Sequence, residues 1–301
     1  MRQLIILLVL IAAVHGLGPW QGGLRVRYDL NPLGIGKTSF IGLPRTIAEA
    51  KDERWVKTPR PDGPMPSLVM FCPSKVDKLA CCLFDDTGYI AGLQFALPTD
   101  VFSSHSGMDM ETLGFTLWTP PVTSGSPRSY WTAHQYYVDE EFLEKSVEVR
   151  LAERNNKKTL QADSIWVSGF HGERMKISRD SKEIGYPKTL FVKQTCFIMM
   201  GRHYYYNMTE LTLCDDEHFL PWFPLVHSGE LIGVGFFVFG KMPEESLPES
   251  RNYFERSSRK QIEFIVSHGP ECLFDLVEHD GIISVHSYFV DKPWLINCIG
   301  E

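Results

Sequence analysis

After its first sixteen residues the chain has no apolar run approaching the roughly 20 residues that a membrane-spanning helix needs, so no membrane insertion is expected of it. It has no C-x-x-C pair, which removes the usual signature of zinc ribbons and thioredoxin-type redox chemistry. It lacks a G-x-S-x-G elbow and any H-x-H or H-E-x-x-H cluster, so neither a serine hydrolase nor a local metal site announces itself. His105-Ser106 and His227-Ser228 set a histidine beside a serine, but sequence neighbours seldom face each other as a nucleophile and its base must. NPLGIGKTSF, residues 31–40, looks like a phosphate-binding loop, yet Asn31 stands where its first glycine belongs and no hydrophobic strand precedes it. Positive charge is also short: 30 Lys and Arg face 37 Asp and Glu. With no clustered basic face, a phosphate backbone would be repelled, and nucleic acid is excluded as an expected partner.

What is present begins with MRQLIILLVLIAAVHG, one basic residue followed by an apolar run of about eleven residues, which reads as a signal peptide over residues 1–16. The expected location is therefore secreted and extracellular. Removing sixteen residues from 301 leaves 285 and, with Arg2 gone, a charge of −8. That length allows one large domain or two modest ones, and 44% hydrophobic with 12% aromatic residues points to a folded globule. All seven cysteines follow the signal: Cys72, Cys81, Cys82, Cys196, Cys214, Cys272 and Cys298. An oxidising compartment favours pairing six of them in a connectivity the spacing leaves open, and an odd thiol would permit a covalent dimer.

Residues 17–66 are rich in glycine and proline and read as an irregular arm with one short helix at Thr46–Trp55. Residues 67–301 read as an antiparallel β-rich domain, with room for two packed subdomains. Its apolar runs, among them SLVMFC, LACCLFD, YIAGLQFAL, SYWTAHQYYV, ELIGVGFFVF, KQIEFIVSH, CLFDLVE and IISVHSYFV, are dense in β-branched and aromatic residues and bounded by turn signals. Three of them, at Ile90–Gln94, Leu231–Gly235 and Ile282–His286, share a weak likeness after a glycine turn, as repeated hairpins would. VDEEFLEKSVEVRLAERNN reads as a peripheral helix, although Val147, Val149 and Leu151 also alternate as in a strand, and the charged stretch from Pro248 reads as a surface helix or a mobile loop. No βαβ alternation is visible, so the expected fold is mainly β, an antiparallel sandwich or barrel-like arrangement.

Chemistry is sought first in GRHYYYNMTELTLCDDEH, residues 201–218. Asn207 heads the one N-x-S/T acceptor, and a glycan there would face the side chain to solvent. Strand parity then sends His203, Tyr205 and Thr209 outward with it, and Tyr204, Tyr206 and Met208 inward. His203, His218 and His227 are candidate metal ligands. His203, His218, Asp216 and His286 are candidate catalytic groups. Tyr204, Tyr206, Trp131 and Trp222 are the expected ligand-contacting aromatics, flat apolar surfaces with polar handles. The leading expectation is a secreted, disulfide-linked, glycosylated protein that binds a small apolar or aromatic molecule, with no cofactor indicated. The rivals are an extracellular oxidoreductase or oxygenase on an aromatic substrate, with histidine-bound metal or without cofactor, and a structural matrix or interaction protein.

Overall fold

A computed structural model describes residues 20–28, 39–121 and 126–299, so the signal segment and residues 31–38 lie outside it. In chain order the elements are β1 (Gly22–Arg27), β2 (Phe40–Gly42), α1 (Ile47–Asp52), β3 (Val56–Thr58), β4 (Val69–Cys72), β5 (Ala80–Phe84), β6 (Ile90–Pro98), β7 (Thr116–Trp118) and β8 (Tyr130–Tyr136). There follow α2 (Glu140–Glu144), α3 (Val147–Glu153), β9 (Ser164–Ser168), β10 (Arg174–Ser178), β11 (Phe191–Phe197), β12 (Gly201–Tyr206), β13 (Trp222–His227) and β14 (Glu230–Phe239). β15 (Glu255–Arg256), α4 (Arg259–Ile265), α5 (Glu271–His279) and β16 (Ile282–Val290) complete the described chain.

The protein is mainly β. Two antiparallel sheets pack as a sandwich, the first ordered β10-β9-β8-β6-β5-β4-β3 with β7 on β8, the second β11-β12-β13-β14-β16-β1-β2 with β15 on β16. Alternate residues of facing strands fill the space between them: Leu93, Phe95 and Leu97 from β6 meet Val234, Phe236 and Val238 from β14 in one continuous core. Strands β5, β6 and β16 are buried along their whole length, because the outer face of each sheet is covered as well. Phe142 and Leu143 of α2 pack on the first sheet's outer face beside Met70 and Tyr136. Ile262, Ile265, Leu273 and Val277 of α4 and α5 pack on the second's, around Tyr205, Phe223 and Phe237.

Four expectations need correction. The segment expected as an irregular arm supplies β1, β2 and β3, and β1 and β2 complete the second sheet by pairing with β16 and with each other. KQIEFIVSH and CLFDLVE, expected as strands, form α4 and α5, where Ser258 and Gln261 make a capping box and Leu273, Phe274 and Val277 fall on one helical face. The charged stretch from Pro248, expected as a surface helix or a loop, contains strand β15 and runs into the first residues of α4 at Arg259. His203 and Tyr205, sent outward by parity, do lie on the outer face, but α4 and α5 cover it and His203 is fully buried.

Three bridges, Cys72–Cys81, Cys196–Cys298 and Cys214–Cys272, hold β4 to β5, β11 to the C-terminal segment, and α5 to the loop after β12. Cys82 is the unpaired cysteine and sits in the core at 0% exposure. Burial raises its thiol well above the ordinary cysteine range. No described helix is long and apolar enough to cross a membrane.

Candidate functional site

Four chain-distant polar residues meet under α4 and α5: Arg27 from β1, His203 from β12, Glu255 from β15 and His286 from β16. Arg27 pairs with His286 across the β1–β16 ladder, and Glu255 pairs with Ser284 two residues away on the same strand. The period of two along β16 therefore stacks all these side chains on the outer face. Arg27 Nε lies 3.1 Å from Glu255 Oε1, and His286 Nδ1 lies 3.0 Å from Glu255 Oε2. Both contacts have ion-pair distances without hydrogen-bond alignment at the carboxylate, so the attraction between Arg27 and Glu255 is chiefly coulombic. Arg27 also donates from its terminal nitrogen to the Met199 carbonyl at 3.4 Å and stacks 5.8 Å from the Phe40 ring. The side chains of Arg27 and Glu255 are both at 0% exposure, a placement a charge tolerates only with a partner.

His203 Nε2 faces His286 Nε2 at 3.4 Å. One nitrogen must donate and the other accept. Burial first, and then the neighbouring His286, push the protonation of His203 well below the ordinary imidazole range, so His203 is neutral. Its ring is also sandwiched near Tyr205 at 6.0 Å and Phe223 at 5.6 Å.

An apolar cleft adjoins this cluster. Tyr205, Phe223 and Phe237 form its floor, Ile262, Ile265 and Leu273 of the helix pair form its roof, and His286, Ser284 and Ser257 bring polar atoms to it. The side chains border about 420 Å³ of space that is partly open to solvent, and only about 20 Å³ admits the centre of a water molecule, enough for about one. The roof is held by Arg259 of α4, which contacts Glu263 at 2.7 Å and, across to α5, Asp275 at 2.7 Å, Glu278 at 3.1 Å and Glu271. The Cys214–Cys272 bridge ties α5 from the other side.

The remaining candidates lie elsewhere. His218 is half-exposed in the loop before β13, its Nδ1 2.6 Å from Asp215 Oδ1, and Asp216 accepts from the Asp109 backbone at 2.9 Å. His227 is buried at the end of β13 with its ring 5.7 Å from Trp20. His203, His218 and His227 are therefore not brought together, and among the described residues no cluster of three or more His, Cys, Asp or Glu could hold a metal ion. Tyr204, Tyr206, Trp131 and Trp222 point between the sheets, where Trp222 Nε1 donates to the Ser168 carbonyl at 2.7 Å. The aromatic cleft is built instead by Tyr205, Phe223 and Phe237. Asn207 is half-buried at the turn leaving β12 with φ of 47°, and Thr209 is exposed.

The chain matches no family model, no curated protein and no solved structure. Arg27 and Glu255 escaped the sequence reading because nothing local marks them: one lies just inside the supposed arm, the other in a charged stretch that resembles a surface loop.

Proposed function

We propose that the protein binds a small, mainly apolar molecule, aromatic or aliphatic, in the cleft between the α4–α5 pair and the outer face of the second sheet. The observation that carries this reading is the combination of walls and end: aromatic and aliphatic side chains lead to His286, whose ring is backed by Glu255. Binding sites of this kind pair an apolar lining with a few oriented polar groups. The closed cleft holds about one water, so a ligand enters as the helix pair lifts, and it replaces the contacts that Ile262, Ile265 and Leu273 make with the sheet. A bound molecule carries its polar group toward His286, Ser284 and Ser257 and its apolar body against Tyr205, Phe223 and Phe237.

The test is a fluorescence titration with N-phenyl-1-naphthylamine, an uncharged aromatic probe bearing one N–H donor. Saturable binding at one site per chain is expected, and Ile262→Trp, which fills the cleft from the roof, should weaken it by at least about tenfold, or 1.4 kcal/mol. Equal affinity in Ile262→Trp, or no saturable binding by the folded protein, overturns the proposal.

A second reading, an extracellular enzyme acting on an aromatic substrate, draws on the Glu255–His286–His203 alignment, a carboxylate and two imidazoles in sequence beside an apolar cleft. For its metal-dependent form, metal content of the purified protein is measured before and after His203→Ala and His286→Ala. Content that does not fall in either variant removes that form.

A further inference from the structure

The two sheets match strand by strand, and their central ladders match residue by residue. Reading the first as β3, β4, β5, β6, β7, β8, β9, β10 and the second as β11, β12, β13, β14, β15, β16, β1, β2, every pairing in one has its counterpart in the other. The seven Cα partners of β6 and β8, from Gly92↔Tyr136 to Pro98↔Tyr130, correspond to the seven of β14 and β16, from Gly233↔Tyr288 to Phe239↔Ile282. The β5–β6 ladder has an irregularity between Leu83 and Phe84, and the β13–β14 ladder has one at the matching place, between Leu225 and Val226. Short off-path strands sit on matching positions too: Thr116↔Thr132 in one sheet, Glu255↔Ser284 in the other. Residue types follow: His134, Tyr136 and Val138 match His286, Tyr288 and Val290, Phe95 matches Phe236, and Phe115 matches Phe254.

Matched residues also touch one another across the sandwich, as a twofold axis between the sheets requires. Gln135 Nε2 donates to Ser287 Oγ at 2.9 Å, the Tyr137 and Phe289 rings are 5.2 Å apart, and those of Phe95 and Phe236 are 5.5 Å apart. Chance resemblance between two antiparallel sheets does not reproduce register, irregularity and axis together.

We infer that the chain is an internal duplication whose second copy is closed by the N-terminal strands β1 and β2, and that the outer face of this second copy has been rebuilt into the binding face. The differences between the copies concentrate there. Where the first copy has Met70, Thr116 and Ser168, the second has His203, Glu255 and Arg27, which are three of the four members of the buried polar cluster. The fourth, His286, matches His134, which in the first copy is satisfied by Gln94 Oε1 at 3.0 Å. Gln94 is matched by Gly235, where a Cβ would come within 2.3 Å of the Phe223 ring. The Cys72–Cys81 bridge of the first copy is matched by Tyr205 and Phe223, ring centroids 4.9 Å apart, which floor the cleft. The helix pair that roofs it is inserted between β15 and β16, where the first copy joins β7 to β8 through residues 119–129. Arg27, His203 and Glu255 are thus the residues that set the polar end of the site, and Arg27 reaches it only after β1 has docked.

The site half of this inference rests on the function proposed above; the duplication does not, and two experiments on the full chain separate them. Tyr205→Cys combined with Phe223→Cys should form a cross-strand bridge at the position matching Cys72–Cys81, leaving one titratable thiol per unfolded, non-reduced chain by mass spectrometry after alkylation. Three thiols overturn the duplication. Returning the cluster to the residues of the first copy, with Arg27→Ser, His203→Met and Glu255→Thr together, should give a folded protein. Its Tm should lie closer to that of the wild type than does that of Glu255→Thr alone, for which a loss of at least about 6 °C is expected. A triple variant less stable than Glu255→Thr overturns the equivalence. Probe affinity at least about tenfold weaker in the folded triple variant supports the rebuilt face, and unchanged affinity overturns it. A wild type that fails to bind the probe sinks the functional reading and leaves the thiol count standing.

Discussion

Replacing Glu255 by glutamine is the sharpest perturbation of the candidate site. The amide keeps the volume of the carboxylate, so no cavity opens, and the change isolates charge. In the native protein Glu255 is fully buried between Arg27 Nε at 3.1 Å and His286 Nδ1 at 3.0 Å. Neutralising it removes the carboxylate that faces the Arg27 guanidinium in a low-dielectric interior. Removing one partner of a buried ion pair costs about 3–5 kcal/mol, whereas replacing both by apolar residues is near neutral or stabilising. At roughly 2–4 °C per kcal/mol for a domain of this size class, Glu255→Gln should lower Tm by about 6–20 °C. Arg27→Met combined with Glu255→Gln should recover most of that loss. The assay is calorimetry or circular dichroism at fixed pH, with oxidised disulfides. A loss below about 1 kcal/mol in Glu255→Gln would refute the reasoning, because it would mean that water reaches Arg27 and that the cluster is not closed.

Burial lowers the His134 pKa to about 3, and desolvation likewise pushes His203 well down. Both are neutral in the folded protein, while the unfolded chain binds their protons below about 6.5. Stability is therefore fully present above pH 6.5 and lost as pH falls from there toward 3, by roughly 5 kcal/mol for His134 alone. Urea unfolding at pH 7 and pH 4.5 checks this, and His134→Gln should flatten the dependence by close to one proton. Gly235→Ala places a Cβ 2.3 Å from the Phe223 ring and 2.5 Å from the Val285 carbonyl, and should cost about 1–3 kcal/mol in denaturant melts. Ellman titration of the native protein should find no reactive thiol, since Cys82 is buried and its thiolate disfavoured, and one per chain in guanidinium. Cys214→Ser with Cys272→Ser should lower stability by about 2–4 kcal/mol and speed probe entry by freeing the α5 side of the roof.

The tetrapeptide Cys-Leu-Phe-Asp occurs twice and shows where local reading stops. At residues 82–85 it forms the end of β5 and the residue that follows, all buried, and at 272–275 it lies in α5. Propensity is the same in both places; what differs is Pro270 and Glu271 ahead of the second, Val277 one turn beyond Leu273, and the sheet face waiting beneath. The repeated hairpin was legible in part. Ile90–Gln94 and Leu231–Gly235 do occupy matching positions, whereas Ile282–His286 belongs to β16, which pairs with β14 and matches β8.

Alternating apolar residues, turn glycines and the density of β-branched and aromatic side chains determined on their own that this chain makes antiparallel sheets, because strand formation and hairpin pairing are local in sequence. The count of cysteines likewise foretold a single unpaired one. Which face of a strand is dry was decided only by the assembled fold: parity separates Tyr204 from Tyr205, but it cannot know that helices cover the second face. The candidate site lies further still from local reading. Its four polar residues come from strands up to 259 positions apart, brought together by one ladder partner and one sheet-closing N-terminal strand, and long-range pairing of that kind leaves no periodic trace in the amino-acid order.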